Sequence, residues 1–252
     1  MENKFLEGKI AIISGANRGL GKEMAICLGE VGAQVALVGR DRSKLEETHR
    51  SLAEKQISSE IFTCDVSDEV AVEDLKSNVA ERIGIPAILI NNAGTAIRKE
   101  VCDFTLEEWR TVIDTNLTGA FLMSRAFLPE MKKLGWGRVI NITSIMASVG
   151  SPGRSAYCAS KSGLLALTKC MALELAQSGV NVVAISPGFY ATDLTEPLRL
   201  DHQKNAALLS ATPMGKWGKP EDIGKIARFL CSDAADFITG TDILSDGGWL
   251  AQ

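Results

Sequence analysis

Short apolar runs recur along the chain, separated by longer stretches in which apolar positions return every three or four residues. The runs lie at residues 10–14, 34–38, 60–63, 88–91, 139–143, 181–186 and 242–245. Several are apolar throughout, as in Ile10-Ala11-Ile12-Ile13 and Ile88-Leu89-Ile90. That is the pattern of a strand covered on both faces. The stretches between the runs read as helices. Ser43-Lys44-Leu45-Glu46 and Thr105-Leu106-Glu107-Glu108 have capping-box spacing, and Pro220 suits a first helical position. Strand–helix alternation of this kind predicts an α/β fold with a doubly wound, mostly parallel sheet of seven strands and helices on both faces. No repeat or low-complexity segment divides the chain, so one domain is expected over residues 1–252. The rhythm breaks at residues 188–219. A connection of that length suggests a lid over a substrate, with 194–209 a candidate helix.

Composition narrows the picture mainly by exclusion. The length of 252 residues suits one large α/β domain. A net charge of −4 without a dense Lys/Arg run gives no support to nucleic-acid binding. The apolar runs are far too short to span a membrane, and Met1-Glu2-Asn3-Lys4-Phe5 does not read as a signal peptide. Six cysteines occur with no CxxC pair, which reads as reduced core thiols in a cytoplasmic protein. With only His49 and His202, no His-rich metal site is expected, and a histidine-dependent hydrolase fits poorly. No GxSxG elbow is present either.

Two segments carry chemistry. The first apolar run passes directly into Ser14-Gly15-Ala16-Asn17-Arg18-Gly19-Leu20-Gly21, and a helix is expected over 20–31. Glycines at 15, 19 and 21 let the backbone turn tightly and approach a pyrophosphate, for which the helix N-terminus offers unpaired N–H groups. A Walker phosphate loop does not fit, because Ala16 and Glu23 stand where it needs Gly and Ser or Thr. Further on, Tyr157 and Lys161 stand at i and i+4, on one helix face. A free phenol titrates near ~10 and transfers protons poorly at neutral pH. A nearby cation favours phenolate and can lower that value by about 1–3 units. The pair is therefore a candidate acid/base group.

Taken together, Gly15-x-x-x-Gly19-x-Gly21, Asn91-Asn92-Ala93-Gly94, Asn116, Ser144, Tyr157-x-x-x-Lys161 and Pro187-Gly188 resemble the short-chain dehydrogenase/reductase family in order and spacing. The resemblance runs from the first strand to Asp246-Gly247-Gly248, with Ser14 where the family more often has Thr. It implies a Rossmann-like fold and interconversion of a carbonyl and a secondary alcohol. Tyr157 would exchange the proton, with Lys161 lowering its pKa and holding the nicotinamide ribose. Ser144 would bond the substrate oxygen, and Asn116 would support a water leading to the lysine. The implied cofactor contacts are Gly15, Asn17, Arg18, Gly19, Leu20, Gly21, Arg40, Asp65, Val66, Asn92, Ala93, Gly94, Tyr157, Lys161, Pro187, Gly188 and Thr192.

At the end of the second strand, Gly39 stands where NAD-using relatives place an acid, and Arg40 follows. With Arg18 it matches the basic positions of NADP-preferring relatives, where two guanidiniums make a phosphate fork. The alternatives are that both arginines are solvated surface charge, or that Asp41 reaches the ribose and admits NAD. For the substrate, the segments 212–222 and 246–251 resemble the branch of gluconate 5-dehydrogenase and keto-deoxygluconate dehydrogenase. Arg98, just past the Asn91–Gly94 loop, either pairs with a substrate carboxylate, is a solvated loop charge, or pairs with Glu100. Tyr190 either touches substrate or packs. A small polar keto or hydroxy acid is thus the expected substrate. A 3-oxoacyl-carrier-protein reductase, which would need a basic patch for its carrier, and a non-catalytic NADP-binding regulator remain as rivals. The family resemblance also implies a homotetramer.

Overall fold

The computed structural model describes residues 4–193 and 195–252; Leu194, counted above in the long connection, lies outside them. In chain order the elements are β1 (Ile10–Ser14), α1 (Gly19–Glu30), β2 (Gln34–Gly39), α2 (Arg42–Glu54), β3 (Ser59–Thr63), α3 (Glu69–Arg82) and β4 (Ile88–Asn91). Then follow α4 (Leu106–Ile113), α5 (Gly119–Leu134), β5 (Gly137–Ile142), α6 (Ser155–Leu175), β6 (Val180–Pro187), α7 (Glu196–Leu200), α8 (His202–Ser210), α9 (Pro220–Leu230) and β7 (Asp242–Ser245). The seven strands lie in the order β3-β2-β1-β4-β5-β6-β7. Every recorded pairing is parallel, so the sheet is wholly rather than mostly parallel.

Alternate strand residues feed two separate cores, which is why the strands are apolar on both faces. Ala11, Ile13, Val35, Leu37 and Ile90 pack with Met24 and Leu28 of α1, Leu45 of α2 and Ile223 of α9. Ile12, Ala36, Val38 and Leu89 face the other way, onto Leu75 of α3, Met123 and Phe127 of α5 and Met171 of α6. Each of the larger side chains, Val, Leu, Ile, Met and Phe, contributes about 1.5–3 kcal/mol by leaving water.

Helix starts follow local hydrogen bonding. Thr105 and Glu108 form the expected capping box of α4. The box expected at Ser43 is displaced. Asp41 caps α2 instead, accepting the Lys44 N–H at 3.2 Å and the Ser43 hydroxyl at 2.7 Å. A carboxylate accepts both bonds at once, so it displaces the serine as cap. The long connection is not a loop. It contains α7 and α8, broken at Asp201, whose carboxylate accepts from the Gln203 and Lys204 N–H groups and starts a new helix. Its base is closed by a bridge between Tyr190 and Gly218. Phe189 stands edge-on to Trp217 and Trp249, 6.1 Å from each ring centre.

Candidate active site

Strand order reverses between β1 and its neighbours β2 and β4, so the connections after β1 and β4 leave on opposite faces and open a crevice. A cleft of about 630 Å³ lies there. It is lined from the C-terminal ends of β1 to β6: Gly15, Gly39, Asp65, Asn92, Ser144 and Gly188 each come from a different strand's end.

The two central loops are latched together. The Ser14 hydroxyl accepts the N–H groups of Asn92 (3.0 Å) and Ala93 (3.1 Å), and the Asn92 amide donates to the carbonyls of Ser14 (2.9 Å) and Gly15 (3.1 Å). Gly15 has φ +65°, a conformation costly for any residue with a Cβ. Gly21 does not line the cleft; it lies beneath, where a Cβ would come within 2.3 Å of the Gly15 carbonyl oxygen. Its contribution is close packing of α1 against the turn rather than contact with a ligand. The α1 N-terminus has no acidic residue in its first turn, and Arg18 makes no side-chain cap. Its positive end is therefore left uncompensated by the protein, as an anion site requires. The tight turn, the small residues at its floor and this helix end together fit a dinucleotide diphosphate.

Asn17, Arg18, Gly19, Leu20, Arg40, Asp65, Val66, Ala93, Gly94, Pro187, Gly188 and Thr192 also border the cleft. The two arginines do not form a ready fork. Arg18 pairs with Asp193 at 3.2 Å and Arg40 with Asp65 at 3.5 Å. Both pairs are exposed, so each is worth at most about 1 kcal/mol and yields readily to a doubly charged anion. Asp41 is held by its cap and by Lys44, 3.6 Å away, and is not free to seek a ribose.

On the other side of the cleft, α6 carries Tyr157 and Lys161. Tyr157 is half-buried and hydrogen-bonds the Ser144 side chain, whose oxygen also accepts the Met146 N–H at 3.2 Å. Lys161 is buried, and its Nζ donates to the Ile142 carbonyl at 2.6 Å and stands 5.8 Å from the Tyr157 ring centre. Burial pushes the Lys161 ammonium down to about 8. Burial also raises the Tyr157 phenol, while the Ser144 hydrogen bond and the Arg154 charge pull it down by less. The expected lowering of the phenol by Lys161 is thus not found. The same desolvation that weakens the lysine's charge disfavours phenolate.

Asn116 sits in a π-helical turn, Asp114–Thr118, between α4 and α5. Its amide is fully committed: it accepts the Thr95 N–H at 2.8 Å and donates to the Thr95 carbonyl (2.9 Å) and to Ser160 (3.0 Å). It borders the cleft only indirectly, pinning the loop after Gly94. A Cβ on Gly94 would lie 3.4 Å from the Asn116 oxygen and 3.7 Å from Lys161 Nζ, so the three meet at one point. Tyr190 packs: it is buried, and its hydroxyl bonds Ser245 at 2.5 Å. Arg98 borders the cleft, and among the described residues no ion pair joins it to Glu100. Arg154, Lys44 and Thr95 also line the cleft and were not singled out in the sequence. Arg154 was visible only as a cation three residues before Tyr157.

Comparison with known proteins agrees with this geometry. A family model described as enoyl-(acyl carrier protein) reductase matches residues 15–250. The chain is 37% identical to 2-dehydro-3-deoxy-D-gluconate 5-dehydrogenase of Bacillus subtilis, over 98% of this chain and 96% of that one. It is 35% identical to 3-oxoacyl-(acyl-carrier-protein) reductase of Pseudomonas aeruginosa, over 96% and 98%. A solved gluconate 5-dehydrogenase from Burkholderia cenocepacia, in complex with NADP and tartrate, superposes with a TM-score of 0.95 at 30% identity, covering 100% of this chain and 98% of that one. With the glycine turn, the latched loops and the Ser144–Tyr157–Lys161 cluster placed as they are, this chain belongs to the short-chain dehydrogenase/reductase family.

Proposed function

We propose that the protein is an NADP(H)-dependent oxidoreductase that interconverts a ketone and a secondary alcohol on a small polar keto or hydroxy acid, such as 5-ketogluconate and gluconate. The observation that carries this is the meeting of Ser144, Tyr157 and Lys161 across the cleft from an uncapped helix end. When bound, the nicotinamide supplies or accepts a hydride. Gly15, Gly19 and the α1 N–H groups hold its diphosphate, and Arg18, Arg40 and Lys44 surround the place of a 2′-phosphate. The raised phenol of Tyr157 keeps its proton at neutral pH and is therefore a donor for a carbonyl oxygen, while Ser144 offers that oxygen a second hydrogen bond. Lys161 stands beside Gly94 to hold the ribose. Asn116 keeps the loop in place. The segment 188–219 serves as the lid. Support for the sugar-acid class comes from Arg98 and from the similar enzyme that holds NADP and tartrate.

One observation favours the acyl-carrier reading. A second chamber of about 410 Å³ adjoins the cleft, lined largely by apolar groups such as Pro152, Phe189, Leu208 and Trp249. An acyl chain would fit it; a neutral thioester would leave the arginines without a partner. NADPH oxidation with 5-ketogluconate and with an acetoacetyl thioester decides between the readings. Turnover of the keto acid, reduced by at least ~100-fold in Tyr157→Phe, is expected. Preference for the thioester would reverse the assignment. Apolar side chains left exposed on and beside α4, α5 and α6, among them Leu106, Phe121 and Leu173, suit a homotetramer. Six free cysteines, with Cys102 and Cys170 exposed, suit a reducing cytoplasm.

A further inference from the structure

Six cations line the cleft: Arg18, Arg40, Lys44, Arg98, Arg154 and Lys161. Arg18, Arg40 and Lys44 each have a carboxylate, and Lys161 has the Ile142 carbonyl. Arg98 and Arg154 have no hydrogen-bond or ion-pair partner among the described residues, although Arg154 lies close enough to feel the charge of Arg98. Their closeness is built into the backbone. The Lys99 N–H donates to the Gly153 carbonyl at 3.1 Å, so the two arginines flank a single bond between the loop after β4 and the start of α6. The neighbouring Lys99 is neutralised by Glu108 at 2.5 Å, and Lys204 of the adjoining chamber by Asp201 at 2.9 Å. Arg154 is also the residue at which α6 begins. That 21-residue helix has no acid in its first turn and no side-chain cap. Its positive end adds to the same field.

Two guanidiniums and a helix end held together without a counter-charge repel one another, and half-burial of Arg154 makes this worse. Such an arrangement persists where an anion is expected to complete it. We propose that Arg98 and Arg154 jointly hold the carboxylate of the substrate, with Arg154 a specificity-determining residue at the junction of the cleft and the apolar chamber. The inference rests on the sugar-acid reading for the identity of the substrate, though the anion site itself does not.

The test is sodium tartrate titrated by calorimetry into the NADP⁺-saturated wild type, Arg98→Gln, Arg154→Gln and Arg154→Lys, together with NADPH-linked kinetics on 5-ketogluconate and 2,3-butanedione. Charge-assisted hydrogen bonds of this kind correspond to roughly 10- to 100-fold. Arg154→Gln should weaken tartrate binding by that factor, raise KM for the keto acid far more than KM for the neutral diketone, and leave Tm unchanged or higher. Arg154→Lys, which keeps the charge but loses the fork, should fall between. Tartrate affinity and keto-acid KM unaltered in Arg154→Gln, with Arg98→Gln alone impaired, would overturn the proposal while sparing the sugar-acid reading. Weakened tartrate binding in both variants, in a protein that turns over only the thioester, would uphold the anion site and remove the sugar-acid reading instead.

Discussion

The Lys161 ammonium donates to the Ile142 carbonyl at 2.6 Å, and burial leaves its proton weakly held. The sign of the effect on stability follows. Unfolded, a lysine keeps its proton to about 10.5; folded, Lys161 releases it near 8. Between those values the unfolded chain binds more protons, so this residue's contribution to stability rises with pH. Buried Cys27 and Cys64, raised from 9.0 to about 11, work in the opposite direction. The difference between wild type and Lys161→Met therefore isolates the lysine. In cofactor-free protein, urea unfolding at pH 7.5 to 10.5 should show the wild type gaining on the variant by about 3 kcal/mol across that window. A flat difference would mean that the ammonium is solvated. Tyr157 and Lys161 were legible in the sequence because their spacing puts them on one helix face and the motifs upstream give that spacing its weight. The direction of their pKa values was not. It depends on how deeply β5 and α6 enclose them, which no local pattern encodes.

At the scale of elements, the end of β2 lines the cleft, and its part in cofactor preference can be tested. Gly39 is the last residue of the strand, and its φ lies outside the left-handed region. A Cβ there would meet only Leu45 at 3.4 Å and the Asn17 oxygen at 3.7 Å, so a short side chain is tolerated. Gly39→Asp would place a carboxylate beside Arg40 and where a 2′-phosphate would lie. The ratio of kcat/KM for NADPH over NADH should fall by at least ~10-fold, about 1.4 kcal/mol. An unchanged ratio would show that β2 does not set the preference. The central strands were legible because both faces are buried, and the predicted bounds of all seven differ from the observed ones by at most two residues. The cap of α2 was misplaced because two acceptors compete within three residues, Asp41 and Ser43, and only the backbone shows which wins. The break at Asp201 was hidden in the same way, because an acid at the head of the polar run 201–205 shows itself as a cap only through its backbone partners. Arg154 escaped notice because its meaning lies in Arg98, brought beside it only by the fold.

At the scale of the whole molecule, the exposed apolar side chains bear on the proposed tetramer. Leu173 is 81% exposed on α6, although Leu164, Met171 and Leu175 of the same helix are buried in the fold. Sedimentation should give a tetramer, and Leu173→Lys with Phe121→Lys should shift it toward smaller species; a wild-type monomer at working concentration would refute the assembly. No described helix is long and apolar enough to cross a membrane. The latch between Ser14 and Asn92 has a further consequence. Its partners stand 78 positions apart, and the pair that seats Tyr190 on Ser245 spans 55. A nascent chain can assemble the first of these once β4 has emerged, but the wall around Tyr190 must wait for β7. Until β7 has emerged, the crevice can have its latch at the glycine turn while the side around Tyr190 still lacks Ser245. That interval exposes the parallel edge of β6 to any other strand within reach, and it closes when β7 pairs along that edge.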